Sequence, residues 1–135
     1  MAWVYVEREQ FVRACEKLGV SEKVREAIRN WAPTVSNKNE IPSQKLVYRT
    51  PHNRYEAWNA RIPNPDSNKG KRGGYRLVFF LDLTECSINL DLIEERDALG
   101  FGKERPKAKQ KYNAYVAELK GYLDALEQEA RNGSI

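Results

Sequence analysis

Two periods alternate along this chain. Trp3 to Glu7 sets Trp3, Tyr5 and Glu7 against Val4 and Val6, which predicts a short first strand. From Glu9 the period turns helical, with Phe11, Ala14, Cys15 and Leu18 on one face. Gly19 suits the C-cap of that helix and Ser21 the N-cap of the next. The second helix gathers Val24, Ala27, Ile28 and Trp31 on one stripe before Pro33 stops it. The pair forms a helical hairpin whose apolar stripes need a sheet to cover them.

Residues 32 to 53 are polar and punctuated by Pro33, Pro42 and Pro51, a long connection in which Lys45 to Arg49 is expected to pair with Arg54 to Trp58. Tyr55 to Ile62 alternates Trp58, Ala60 and Ile62 against Ala57, Asn59 and Arg61, a strand. Two prolines, Asn64, Asp66, Ser67, Asn68 and Gly70 make residues 63 to 74 a connection. Tyr75 to Leu81 is an aromatic and aliphatic strand, so the two strands form a long-looped hairpin. Thr84-Glu85 links it tightly to Cys86–Ile93, where Ile88, Leu90 and Leu92 are expected on one face. Gly100-Phe101-Gly102 lacks the flanking pattern of a dinucleotide site and reads as a joint. A helix then runs from Pro106 to about Glu129, with Leu119, Leu123 and Leu126 in its apolar stripe. The order predicts one α+β domain over residues 1 to 135. An N-terminal strand and helical hairpin precede an antiparallel β-meander, giving a twisted sheet with helices on one face and a long C-terminal helix.

Composition narrows the chemistry. Met1 is followed too quickly by charge for a signal peptide or a membrane span, so a cytoplasmic location is expected. Cys15 and Cys86 are the two cysteines and read as reduced thiols; His52 is the one histidine, so neither a zinc site nor a two-histidine mechanism is expected. The net charge of +4 is unevenly spread. Residues 33 to 76 hold nine Lys or Arg against three Asp or Glu, whereas residues 77 to 99 hold one against six. A local basic surface for phosphates follows from this, unless the two blocks neutralise each other.

Arg76 is the oddity of the apolar strand. A charge buried there alone costs several kcal/mol, so the side chain is expected to reach solvent, an anion or a carboxylate. In the alternation it shares a face with Val78 and Phe80, opposite Tyr75, Leu77, Phe79 and Leu81. Around it, Lys69-Gly-Lys-Arg-Gly-Gly-Tyr-Arg76-Leu-Val-Phe-Phe resembles the strand signature of RelE/HigB-like toxins of bacterial type II toxin–antitoxin modules, a match covering about residues 61 to 81.

The resemblance implies a small sheet-and-helix fold and a metal-independent endoribonuclease without cofactor. It acts on mRNA at the ribosome and is held inactive by a cognate antitoxin. RNA cleavage by the 2′-hydroxyl needs a base, cations for the developing phosphorane and an acid for the leaving oxygen, and a Lys/Arg cluster can supply them. By the resemblance, Arg76 is the transition-state clamp and Arg61 a second basic strand residue. Lys71 stands as a base, and Arg96 as the basic residue after the last strand. Lys69 and Arg72 would contact phosphates. Lys103 and Arg105 belong to the basic run at the start of the last helix, which reads equally well as RNA contact or as a solvated charge run. Asp91, Glu94, Glu95 and Asp97 surround Arg96 with acid. Two alternatives stay open: a superfamily relative that inhibits a protein such as gyrase, and a non-catalytic binding module on the same scaffold.

Overall fold

The computed structural model describes residues 3–31, 44–63, 74–95 and 106–133. Eight elements follow in the order β1 (Val4–Glu7), α1 (Glu9–Leu18), α2 (Glu22–Trp31), β2 (Gln44–Arg49), β3 (Tyr55–Ile62), β4 (Tyr75–Asp82), β5 (Ser87–Glu95) and α3 (Pro106–Arg131). The strands form one sheet in the order β1-β5-β4-β3-β2. β2 to β5 are an antiparallel meander, and β1 returns to pair parallel with β5. The fold is α+β.

Local chemistry sets the element ends. Gly19 adopts the left-handed conformation (φ 64°, ψ 38°) that closes α1, and Val20 N–H donates back to the Cys15 carbonyl at 2.9 Å. The Ser21 hydroxyl accepts from Val24 N–H at 3.3 Å, an N-cap contact at the start of α2. The β4–β5 turn is held by Asp82, whose Oδ1 accepts from the backbone N–H groups of Thr84 (3.0 Å) and Glu85 (3.1 Å). Both cysteines are free thiols; Cys15 is buried, and burial pushes its thiol up to about 11.

β4 lies at the centre and is apolar on both faces. Leu77, Phe79 and Leu81 pack with Ala60, Ile88 and Leu90 against Phe11, Cys15, Val24 and Ile28 of the helical hairpin. Val78 and Phe80 pack with Tyr55 and Ala57 against Leu119 and Leu123 of α3. The helices therefore cover both faces of the sheet rather than one. A two-sided apolar strand requires this, since a single layer of helices would leave Val78 and Phe80 in water.

β5 departs from the strict alternation of Ile88, Leu90 and Leu92 on one face. Phe79 pairs with Leu90 but Val78 pairs with Leu92, so Asp91 is an extra residue, a β-bulge. The bulge resets the alternation. Leu92 turns to the α3 side while Ile93 joins Ile88 and Leu90 on the hairpin side.

Candidate active site

Antiparallel pairing brings Arg61, near the end of β3, directly opposite Arg76, near the start of β4. On its other side Arg76 is opposite Glu94 of β5. Register partners share a face, so the three residues form one row across three strands. The face is the α3 side: Arg61 alternates with Asn59 and Ala57, Arg76 with Val78 and Phe80, and Glu94 with Leu92. Arg61 is exposed, while Arg76 and Glu94 are half-buried.

The long helix determines how much of this face is open. At its C-terminal end Glu127 is locked into the β2–β3 turn, accepting from the Thr50 hydroxyl and from the backbone N–H groups of His52 (2.9 Å) and Arg54 (3.1 Å). Burial of Glu127 raises its carboxyl, but these three bonds outweigh burial and hold it below the usual carboxylate range. Further back, the Tyr48 hydroxyl donates to Asp124 at 2.6 Å, which with burial pushes that phenol up to about 12. Leu119 and Leu123 fill the middle of the face. Towards the helix start, the Tyr112 hydroxyl accepts from Asn59 Nδ2 at 3.2 Å. Asn59 precedes Arg61 by two residues on the same side of β3, about 7 Å along the strand. The arginine row thus begins one pleat beyond the Tyr112 contact.

A second polar cluster lies beneath α3. The bulge aims Asp91 into the helix–sheet interface, where its carboxylate accepts from Arg8 Nη1 at 2.6 Å and from the Tyr115 hydroxyl. Asp91 is 1% exposed. The Arg8 guanidinium stacks on Tyr122 (4.6 Å to the ring centroid) and lies 5.3 Å from the centroid of Phe80. Burial, together with the Asp91 charge and hydrogen bond, pushes the Tyr115 phenol far above its usual range. A cleft of about 190 Å³ opens beside the cluster, lined also by Gln10 and Glu118. The carboxylate, guanidinium and phenol satisfy one another, so this is a structural network with a small cleft at its edge.

Of the residues singled out in the sequence, Arg61 and Arg76 are brought side by side. Lys69, Lys71, Arg72, Arg96, Lys103 and Arg105 lie outside the described residues. Leu119 and Leu123 of the expected apolar stripe are buried and Leu126 packs against the same core, so α3 does not project freely. Sequence reasoning missed the Arg8–Asp91–Tyr115 network. One signal was available: Leu92-Ile93, two apolar residues in succession after Asp91, breaks strict alternation as a bulge does.

Two arginines directly opposite one another destabilise a sheet unless negative charge lies between or beside them. A phosphate bridging both guanidinium groups would supply it, and the half-open position of the row allows one to reach them. Glu94 is the acidic neighbour that the sheet itself provides.

Comparison with family models and with curated proteins finds no match. Among solved structures, the chain is similar to the E. coli toxin RelE in the free state, in a form with two arginines replaced by alanine. The identity is 14%, the alignment covers 86% of this chain and 99% of that one, and the TM-score is 0.42. A likeness this distant carries no argument about activity.

Proposed function

We propose that the chain is the toxin component of a type II toxin–antitoxin module, a metal-independent endoribonuclease of the RelE/HigB type acting on translated mRNA. The observation that carries the proposal is the cross-strand pair Arg61 and Arg76 on a half-open sheet face. It sits within the Gly-Gly-Tyr-Arg76 signature that resembles this family. In this reading the two guanidinium groups hold the non-bridging oxygens of the scissile phosphate and stabilise the second negative charge of the phosphorane. Lys69, Lys71 and Arg72 of the connecting segment add phosphate contacts, with Lys103, Arg105 and Arg96 as further basic groups for RNA. A cognate antitoxin would silence the protein by covering this basic face.

The test is inducible expression with growth measurement and mapping of mRNA ends. Wild type is expected to arrest growth and to produce new 5′ ends within translated messages. Arg76→Ala is expected to lower the cleavage rate by about 10²–10³, the scale of losing one preorganised electrostatic donor, with its thermal melt little changed. Arrest with intact mRNA would favour a protein target such as gyrase instead. Neither arrest nor cleavage would leave a binding module, and full activity in Arg76→Ala would remove the clamp.

A further inference from the structure

We propose that Glu94 is the general base that takes the 2′-hydroxyl proton, an assignment that rests on the ribonuclease reading. It comes from the register. Arg61, Arg76 and Glu94 stand in one row on one face of β3, β4 and β5. Neighbouring strands lie about 4.8 Å apart, so Glu94 is one strand spacing from Arg76 and about two from Arg61. A phosphate held between the arginines places its ribose within reach of a glutamate one strand away.

The acidic run Asp91-Leu-Ile-Glu94-Glu95 is not a uniform negative patch. Asp91 is buried and engaged by Arg8 and Tyr115. Glu95 pairs with Tyr75 and belongs to the opposite side of the strand. Glu94 is thus the acidic side chain of this run that the sheet directs to the arginine row. It is half-buried rather than solvated. A carboxylate needs no lowered lysine pKa to act as a base at neutral pH, and its acceptor oxygens match a hydroxyl donor.

The step balances within the substrate. Glu94 removes the 2′-hydroxyl proton while the 2′-oxygen bonds to phosphorus. The bond from phosphorus to the 5′-oxygen breaks, and that oxygen leaves with the electron pair and takes a proton from water. The products are a 2′,3′-cyclic phosphate and a 5′-hydroxyl, with Arg61 and Arg76 neutralising the intermediate charge.

The test is single-turnover cleavage of messenger in preassembled ribosome complexes at neutral pH, with wild type, Glu94→Gln and Glu94→Asp, and with binding to the same complexes measured alongside. Glutamine still accepts a hydrogen bond, but it cannot take a proton. If Glu94 is the base, Glu94→Gln slows cleavage by about 10²–10⁴ while binding is little changed. Glu94→Asp keeps a carboxylate and recovers part of that loss, yet stays at least about tenfold below wild type, since a misplaced base is a poor one. Thermal melts of both variants accompany the rates, and if Glu94→Gln does not fold, the aspartate variant decides. Glu94→Gln cleaving within about tenfold of wild type overturns the assignment, as does Glu94→Asp at the wild-type rate. Those outcomes leave the ribonuclease reading standing. No cleavage by wild type removes both.

Discussion

Glu127→Ala should detach the C-terminal end of α3 from the sheet. Glu127 is 3% exposed, and its two oxygens divide three donors between them. Oε1 accepts from His52 N–H; Oε2 accepts from Arg54 N–H and the Thr50 hydroxyl. Alanine leaves two backbone donors and the hydroxyl of the buried Thr50 without the carboxylate. At about 1–1.5 kcal/mol per lost bond, the expected destabilisation is about 3–5 kcal/mol. Glutamine can place its one oxygen where Oε2 lies and keep two of the three bonds, but its amide opposes His52 N–H, so Glu127→Gln should cost only about 1–2 kcal/mol. The pH dependence separates charge from shape. The Glu127 carboxyl lies below its ordinary value in the folded state, so the stability it contributes is present above the unfolded value. That contribution is lost as pH falls through the folded value. Urea denaturation at neutral pH and again in the acid range should therefore show Glu127→Gln losing less stability on acidification than wild type. The reasoning fails if Glu127→Ala unfolds within about 0.5 kcal/mol of wild type, or if Glu127→Gln matches the wild-type acid loss.

Two further substitutions test the face under α3. Leu123 is fully buried against Val78, Phe80 and their neighbours, so Leu123→Ala should cost about 2–5 kcal/mol by denaturant titration; a loss below about 1 kcal/mol would mean that the helix is not part of the core. Asp91→Ala leaves the Arg8 guanidinium and the Tyr115 hydroxyl without their shared carboxylate and should cost about 3–5 kcal/mol, whereas the double variant Asp91→Ala/Arg8→Met should recover a measurable part of that loss; no recovery would refute the network.

The sequence signals that survived are those whose cause is local. Gly19 and Ser21 end and begin helices through their own backbone and hydroxyl, and the structure uses both. The strand Tyr55–Ile62 was legible because Trp58, Ala60 and Ile62 alternate with Asn59 and Arg61 over its second half. The layering was not, although Leu77-Val78-Phe79-Phe80-Leu81 carried the information: a run without polar positions marks a strand covered on both faces. Arg8 carries no signal at all, because its partner lies 83 residues away and depends on a bulge.

That bulge also sorts the acidic residues of β5 by face. Read linearly, Asp91, Glu94 and Glu95 form part of the acidic block around Arg96 that is expected to repel RNA. Strand geometry distributes charge by face, and one extra residue changes the parity of all that follow. Had β5 run without the bulge, with Leu92 still opposite Val78, Phe79 would have faced Asp91 instead of Leu90. A carboxylate would then have stood in the hairpin-side core, where no cation of the kind Arg8 provides reaches it from the α3 side. The insertion removes that conflict. It keeps Leu90 opposite Phe79, sends Asp91 to Arg8 and Tyr115, and leaves Glu94 opposite Arg76. Deleting Asp91 is therefore a different perturbation from substituting it. Substitution removes one carboxylate and keeps the extra residue, whereas deletion makes Leu90 and Leu92 consecutive opposite Phe79 and Val78, so that both halves of β5 keep their register with β4 while the bulge and the Arg8 contact are lost.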